Sequence, residues 1–510
     1  MDELGARVLD VATAARANAV DPDTQQRLDE IAGRLRGPLR LAIAGKVKAG
    51  KSTLLNALLG EELAPTDAGE CTRILTWYRQ SDRPHVIVFP VQGTPVERPY
   101  RRDRGALDVD LGPLTHEQVD HLEVGWPTSR LRDLTLLDTP GIASISATVS
   151  ARTHQVLSAE GDDAVPVADA VLYLLRHTHA SDMRFLESFH DDELAHGTPM
   201  NAVGVLSRAD EIGSARLDAM AVAKRVARRY EADPRMHRLC PLIVPVDGLL
   251  GHAAVTLREV EFAAVRTLAE APQPELVELL LTADRFARRP TPLPLSTEQR
   301  GELLRRLGLF GVRLSVELVR SGARTSAALS EALAQHSGLN ELRSVVLRQF
   351  ESRSRVLKAR SAVAALQPLL RGDGVANSAE LLARLEQIAA NAHEFEEVRM
   401  LSELRSGAIE VGGNQAERLD RLLGGSGHDP ASRLGLQPDA SVDDVRRAAL
   451  EQLASWHDVA EHPLSNRSTQ LVARTATRTL EGVLAATQPA YPAESGPLNE
   501  PLADGVGDSV

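Results

Sequence analysis

The chain has 510 residues, 43% of them hydrophobic and 25% charged, the composition of an ordinary globular protein of about two to four domains. A formal net charge of -12 argues against general binding to nucleic acid, and an aromatic content of 3% means that aliphatic side chains must build the cores. Two cysteines are too few for a disulfide framework, so we expect a reducing cytoplasm. We expect neither a signal peptide nor a membrane span, because the first residues are acidic and no run approaches about 18 apolar residues.

Two helical segments precede the first strand signal. Residues 2–19 and 24–36 carry leucine, valine and isoleucine at helical spacing, and AVDPD separates them. A nucleotide-binding domain does not need helices at this position. We therefore expect them to pack on helices from the C-terminal half.

The next stretch, LRLAIAGKVKAGKSTLLNALLG, is typical of a buried strand, a glycine-rich loop and a helix. Gly45, Gly50, Lys51 and Ser52 match the phosphate-loop spacing G-x-x-x-x-G-K-[ST], although a purely structural glycine turn is the alternative. In such a loop the backbone N–H groups and the helix N-terminus face phosphate, the lysine reaches the β- and γ-phosphates, and the serine completes a Mg²⁺ shell. The predicted nucleotide contacts here are Gly45, Lys46, Val47, Lys48, Ala49, Gly50, Lys51, Ser52 and Thr53.

A polar loop then leads into a strand predicted over residues 73–79. Thr72 lies directly before this strand, where guanine-nucleotide switches place a threonine that closes over Mg²⁺ and the γ-phosphate. Thr66 is the rival candidate. Either hydroxyl has the alternative of capping a turn.

The sequence LTLLDTPG predicts a buried strand that ends at a second part of the site. Asp138 would hold Mg²⁺ through water, and the Gly141 N–H would sense the γ-phosphate. The chain continues Ile-Ala-Ser, without the water-orienting glutamine of small Ras-like GTPases, so Lys48 and Arg73 are candidates for offsetting phosphate charge. The predicted metal ligands are thus Ser52, Thr72 and Asp138, and the predicted catalytic residues are Lys48, Lys51, Thr72 and Gly141.

Three further apolar runs, at residues 169–176, 201–207 and 241–247, predict the remaining core strands. Asp210 follows the second, where a carboxylate can accept from guanine N1–H and N2–H₂, a donor pair that adenine lacks. The motif departs from [NT]-K-x-D because Ser207 and Arg208 replace its first two residues. A helix N-cap is the alternative for Asp210 and would leave an ATPase open. Val246 and Asp247 lie where such folds contact the base.

Beyond residue 251 helical signals dominate, with long spans predicted at 251–289, 297–321, 326–370 and 378–404. The proline-rich turn at 288–296 is predicted to be a hinge or a bundle tip. One basic segment is interpreted as either a lipid- or partner-facing surface or a solvated face, and comprises Arg343, Arg348, Arg353, Arg355, Lys358 and Arg360.

These features together resemble the bacterial dynamin-like proteins: helices before the first strand, GKVKAGKST, a threonine in ECTR, DTPG without a following glutamine, RAD, and a long helical half. Five stretches are similar to the isoniazid-inducible dynamin-like proteins of mycobacteria and related actinobacteria, especially the shorter of the pair. They are LAPTDAGECTRILTWYR, SRADEIG, RRLGLFGVRLSVELVRSG, HEFEEVRMLSELRS and LLGGSGHDPASRLGL.

The resemblance implies an α/β P-loop GTPase domain with a mixed, mostly parallel sheet, followed by an all-α bundle (neck and trunk) on which the N-terminal helices pack. The expected divisions are N-terminal helices at 1–36, the G domain at 37–251, a helical bundle at 252–370, a C-terminal helical region at 371–490 and a disordered tail at 491–510.

The resemblance also implies Mg²⁺-dependent hydrolysis of GTP to GDP, dimerisation across the nucleotide face, and membrane remodelling or repair from the cytoplasmic side. The expected partners are a second copy of the chain, a sister dynamin-like protein and an anionic membrane surface, with no nucleic acid. Two alternatives stay open: a regulatory or assembly GTPase that never touches lipid, and a weakly hydrolysing, nucleotide-gated partner of a sister protein.

Overall fold

The structure of the chain is a computed structural model. It describes residues 3–65, 74–103, 106–140, 168–176, 201–212, 215–233, 235–236, 240, 242–351, 353–405, 409, 411, 413–427, 429–462 and 467–487.

One nine-stranded sheet forms the core of the first half of the chain, in the order β11-β10-β9-β1-β8-β2-β7-β3-β4, and β5 pairs with β6 in a separate hairpin. The strands are β1 Leu39–Gly45, β2 Leu75–Gln80, β3 His85–Pro90, β4 Val96–Glu97, β5 Tyr100–Asp103, β6 Ala106–Val109, β7 Val119–Trp126, β8 Leu134–Asp138, β9 Ala170–Leu175, β10 Ala202–Ser207 and β11 Ile243–Val246.

Parallel pairing brings the carboxyl ends of the central strands to one edge of the sheet. The pairs β1–β8, β1–β9, β9–β10, β10–β11 and β2–β7 are parallel, whereas β2–β8, β3–β7 and β3–β4 are antiparallel. This confirms the mixed, mostly parallel sheet. The loops that follow β1, β8, β10 and β11 therefore meet at the edge where ligands bind in open α/β sheets.

Helices surround the sheet and then make up the rest of the described chain. Their bounds are Glu3–Ala17, Pro22–Arg36, Lys51–Leu59, Ala219–Glu231, Gly248–Thr256, Glu259–Glu270, Gln273–Leu279, Ala283–Arg288, Thr297–Arg320, Ser326–His336, Leu339–Val346, Ser354–Arg371, Ser378–Asn391, His393–Arg405, Gly413–Leu422, Pro430–Leu434, Val442–Glu461 and Arg467–Ala486.

Several predicted helices are shorter than the sequence indicated. The span expected at 326–370 is wrong as a single helix, because it breaks before Leu339 and again at a π-turn over Leu347–Glu351. Gly338 makes the first break with φ 75°, and a Cβ there would lie 2.1 Å from the carbonyl oxygen of Pro245. The backbone can approach the end of β11 this closely only at a glycine.

The two N-terminal helices pack as expected on the C-terminal half. Their buried leucines, valines and alanines share one apolar cluster with the helices Ser354–Arg371 and Ser378–Asn391. The Val20 N–H donates to Gly374 O at 2.9 Å, and Lys358 Nζ donates to Gly37 O at 2.8 Å. Burial of the apolar faces drives this association, and these hydrogen bonds fix its register.

The proline-rich turn packs on the helices that flank it. Leu295 is buried and Leu293 half-buried, and both belong to the apolar cluster that includes Phe286 and Leu303 of those helices. The buried Arg300 guanidinium donates to Phe286 O at 2.7 Å and fastens the turn. The hinge or bundle tip predicted at this turn stays a prediction.

The basic segment of the helical half is not one continuous surface. Arg353 is 1% exposed, Arg343 donates to Ala57 O at 2.9 Å, and Lys358 donates to Gly37 O. These three cations contact the fold itself, whereas Arg348 and Arg355 are exposed, so both interpretations of an outward face stay predictions for the exposed members. No helix in the described parts of the chain is long and apolar enough to cross a bilayer.

We expect Leu366→Ala to lower the free energy of unfolding by about 2–5 kcal/mol, because it opens a cavity where the N-terminal helices meet the helical half. Leu366 is 0% exposed. Urea unfolding of the full chain, followed by helical circular dichroism, measures the change. Leu450→Ala is the matched control: Leu450 is 49% exposed, so we expect a change within about 0.5 kcal/mol. Equal losses in both variants would contradict the proposed contact.

Candidate functional site

The phosphate loop connects β1 to the helix Lys51–Leu59 at the carboxyl edge of the sheet. Gly45 has φ 148°, and a Cβ there would lie 2.9 Å from the carbonyl oxygen of Leu174 on β9. Gly50, with φ 94°, is the left-handed residue that immediately precedes the helix. Both glycines occupy conformations that other residues rarely adopt, so the motif's two glycines are required by the backbone itself.

Two lysines of the loop lie in different settings. Lys51 is 8% exposed, and its ammonium donates to Gly45 O at 3.2 Å and to Lys46 O at 3.4 Å. Lys48 is exposed and adopts φ 64°, an uncommon conformation for a residue with a side chain. The Lys51 ammonium is thus held inside the loop, whereas Lys48 lies at the loop surface.

The first turn of the helix faces the end of β8. Ser52 Oγ lies 3.4 Å from Asp138 Oδ2, and Asp138 is 1% exposed. Burial, with the charge of Asp138 as the second cause, raises the pKa of Tyr78 well above its ordinary value. A hydroxyl and a carboxylate at this separation are hard oxygen donors that fit a Mg²⁺ ion carrying water and phosphate oxygens. Among the described residues no group of three or more His, Cys, Asp or Glu side chains could hold a metal by itself.

A pocket of about 160 Å³ opens beside the loop, between the ends of β10 and β11. It brings together the predicted base-contacting residues, which are separate in the sequence. Its walls are Ala49, Gly50, Thr53, Leu54, Leu174, Val205, Ser207, Arg208, Asp210, Glu211, Val246, Asp247, Gly248 and Leu249. Apolar walls with a few carboxyls suit a flat heterocycle with polar edges.

Asp210 lies at one side of this pocket within a short 3-10 helix, Ala209–Glu211. The N-cap of that helix is Arg208, so the alternative assignment of Asp210 as an N-cap is wrong. Burial, followed by the charge of Glu211, raises the pKa of Asp210. Arg208 Nη1 contacts Glu211 Oε1 at 2.6 Å, and Arg176 Nη2 contacts Glu211 Oε2 at 2.7 Å.

Glu211 therefore carries the ion pairs that orient Arg208. Burial alone would raise the pKa of Glu211, but the hydrogen bonds and charges of Arg208 and Arg176 outweigh it and hold that pKa below its ordinary value. Glu211 and Leu249 are among the pocket residues that no sequence motif predicted. An acid directly after Asp210 was the only available signal for the first, and nothing in the pattern indicated the second.

Asp247 lies on the opposite side, directly after β11. It is the N-cap of the helix Gly248–Thr256, and its Oδ1 accepts from the Leu250 N–H at 2.9 Å. Asp247 is 1% exposed, and burial, followed by the charge of Asp210, raises its pKa well above its ordinary value. Its neighbour Val246 contributes an apolar wall.

Ser207 occupies the position of the motif's usual asparagine. Its hydroxyl donates to Leu175 O on β9 at 3.2 Å. This bond ties β10 to β9 beneath the pocket. Thr66, Thr72, Arg73 and Gly141, predicted as switch or catalytic residues, lie outside the described residues.

Comparison with known proteins identifies the family of the chain. The family model described as "Dynamin family" matches residues 41–188. Over 459 residues the chain is 41% identical to the isoniazid-induced protein IniC of Mycobacterium tuberculosis, an alignment that covers 90% of this chain and 92% of that protein. The chain belongs to the IniC family of dynamin-like GTPases.

Two other likenesses are more distant. The isoniazid-induced protein IniA of Mycobacterium tuberculosis is 30% identical over 248 residues, covering 47% of this chain and 35% of that protein. A solved bacterial dynamin pair aligns with 95% of this chain and 79% of its own at 13% identity, with a TM-score of 0.33 that is too low to support any argument. Membership of the family confirms the expected G-domain fold and GTPase activity, and the substrate is a guanine nucleotide.

We expect Asp210→Asn to weaken GTP binding at least about tenfold and to improve binding of xanthosine triphosphate, because xanthine offers an acceptor where guanine offers its N2 donor. Fluorescence titration with each nucleotide measures the exchange. Asp218→Asn is the matched control, since the Asp218 side chain is 54% exposed and pairs with Arg216. An equal effect of both substitutions, or no preference for xanthine in Asp210→Asn, would contradict the assignment.

Proposed function

We propose that this chain couples GTP binding and hydrolysis to dimerisation across the nucleotide face, and that the dimer acts on a membrane surface together with a sister dynamin-like protein. The observation that carries the proposal is the assembled carboxyl edge of the sheet, where phosphate loop, Asp138 and base pocket meet. The similarity to two related isoniazid-induced proteins supports a partner of the same class.

In this proposal the loop from Gly45 to Thr53 binds the phosphates through its backbone N–H groups and the Lys51 ammonium. Ser52 and Asp138, with Thr72 from the switch, hold Mg²⁺, which when bound neutralises charge on the phosphates. Asp210, Arg208, Val246 and Asp247 contact the base.

Catalysis must rely on groups other than a glutamine, because Ile142 follows Gly141 in the sequence. We assign Lys48 the task of offsetting charge on the transferred phosphate: it is exposed and held at φ 64° within the loop. The Gly141 N–H and Thr72 would complete the contacts to the γ-phosphate. A second copy of the chain packed on this face would exclude water and order these groups.

A second candidate function is a GTP-gated scaffold that binds a sister protein and not lipid. The inward contacts of Arg343, Arg353 and Lys358 support it, because they leave fewer cations of the basic segment to attract anionic headgroups. Co-sedimentation with anionic vesicles distinguishes the two candidates.

We expect Lys51→Ala to weaken GTP and GDP binding by at least about 100-fold, roughly 2.7 kcal/mol, because a buried ammonium at the phosphates is removed. Isothermal titration measures both affinities. Lys224→Ala, at a lysine whose side chain is 51% exposed and paired with Glu341, is the control and should bind as the wild type does. Retained GTP affinity in Lys51→Ala would remove the central assignment.

We expect GTP turnover per molecule to rise with protein concentration, and Lys48→Ala to lower the plateau at least about tenfold while leaving GDP binding intact, because the charge acts on the transition state. Phosphate release across a dilution series, with GTP and with ATP, measures both effects. A rate that is independent of concentration would count against dimerisation. Tight binding with negligible turnover even at high concentration would support the gated-partner alternative.

A further inference from the structure

The base pocket contains two carboxyls in unlike surroundings. Asp210 lies at the side of the pocket where Arg208 and Glu211 are half-exposed. Asp247 lies at the other side and is 1% exposed. Nothing in the motif spacing says whether the second carboxyl would accept a hydrogen bond from a bound base or donate one.

The two oxygens of Asp247 are used differently. Oδ1 accepts the Leu250 N–H at 2.9 Å and so caps the helix Gly248–Thr256. Oδ2 is buried and has no hydrogen-bond partner among the described residues. A buried ionised oxygen without a donor carries a large desolvation cost, whereas a protonated one needs only an acceptor. A base in this pocket would bring Oδ2 a partner.

The surroundings of Asp247 favour its neutral form. Among the described residues no cation forms an ion pair with it. Burial, followed by the charge of Asp210, raises its pKa well above 3.8 and outweighs the opposing effect of the Leu250 and Leu249 backbone N–H groups. In a pair of nearby carboxyls, ionisation of one opposes ionisation of the other. Asp210 is the member with access to solvent and to the Arg208 cation, so it takes the charge.

We propose that Asp247 is a guanine-specificity residue whose protonated carboxyl donates a hydrogen bond to O6 of the base, while the ionised Asp210 accepts from N1–H and N2–H₂. This inference rests on the proposed binding of the base in this pocket. The two carboxyls then form a complementary set for the guanine edge, one acceptor facing two donors and one donor facing one acceptor. Adenine carries an amino group at position 6. That amino group and the Asp247 hydroxyl are both hydrogen-bond donors, so no hydrogen bond would form between them.

The charged groups near this carboxyl are few. Asp210 and Glu211 face it from the short helix after β10, and Arg208 and Arg176 pair with Glu211. The helix that Asp247 caps also carries His252. Burial, followed by the charges of Arg306 and Arg305 on the helix Thr297–Arg320, lowers the pKa of His252 to about 4. Lys51, on the neighbouring phosphate-loop helix, is directed at loop carbonyls.

These groups set the sign of the pH dependence. Below the raised pKa of Asp247 the donor is present and guanine binds. As pH rises through that pKa the proton is lost, and O6 would face a negative oxygen. Guanine affinity therefore falls with rising pH, in a range that lies above the ordinary carboxyl value of 3.8.

Two substitutions separate this function from simple helix capping. In Asp247→Asn the amide oxygen can still accept from the Leu250 N–H. The amide NH₂ then occupies the position of Oδ2 as a hydrogen-bond donor, and this side chain does not titrate. Asp247→Ser keeps an N-cap oxygen, but its side chain is too short to reach the base as well. Circular dichroism and thermal melting establish that both variants are folded.

The experiment measures dissociation constants of the full chain for GDP and for 6-thio-GDP, whose sulfur is a weak acceptor in place of O6, between about pH 6 and pH 8.5. We expect the wild type to prefer GDP by about tenfold, Asp247→Asn to keep that preference with a flat pH profile, and Asp247→Ser to reduce it below about twofold.

Two results would overturn the inference while leaving the proposed function standing. One is a loss of tenfold or more in GDP affinity in Asp247→Asn at every pH, which would mean that an acceptor is needed. The other is full preference for GDP over 6-thio-GDP in Asp247→Ser, which would leave Asp247 as a helix cap only. Failure of the wild type to bind GDP at all would instead remove the proposed function together with this inference.

Discussion

The short helix Lys51–Leu59 has backbone N–H and C=O groups at its ends that no residue of the helix can pair. Other parts of the chain supply the partners of its C-terminal carbonyls. Its first N–H groups open onto the phosphate loop. At the other end Gly60 closes a left-handed turn by donating to Asn56 O at 2.8 Å. Arg343 and Arg130 donate to Ala57 O at 2.9 Å and Leu58 O at 3.3 Å, so two cations lie at the negative end of the helix dipole.

This arrangement links the nucleotide site to the helical half through particular bonds. Arg343 belongs to the helix Leu339–Val346, which directly follows the residues that contact the end of β11. There the Asp247 N–H donates to Ser337 O at 2.9 Å. One short segment therefore contacts the base pocket through Ser337 and the phosphate-loop helix through Arg343, six residues later. Burial and the nearby Arg130 lower the pKa of Arg343 to about 10, so it stays charged at neutral pH.

Buried carboxyl groups at opposite edges of the sheet serve different purposes. Asp169 precedes β9 at the amino edge, where it accepts from the Arg34 guanidinium at 3.2 Å and from the Arg40 N–H at 2.9 Å. These bonds join the N-terminal helices to the sheet. Asp138 and Asp247 lie at the carboxyl edge, beside the phosphate loop and the base pocket. Because the central strands are parallel, Asp169 lies at their amino ends, whereas Asp138 and Asp247 lie at their carboxyl ends, where the site is.

The sequence by itself determined the local parts, which are the phosphate loop, the core strands and the succession of sheet and helices. The two glycines of the loop are required because Gly45 has φ 148° and Gly50 has φ 94°. These follow from short-range sterics and hydrophobic periodicity. Only the tertiary structure decided that Arg343 and Lys358 turn inward and that Asp247 is buried near Asp210. Those features depend on which elements become neighbours in the fold. The order of residues in the chain does not specify which side chains are buried or which charged groups lie close together across a pocket.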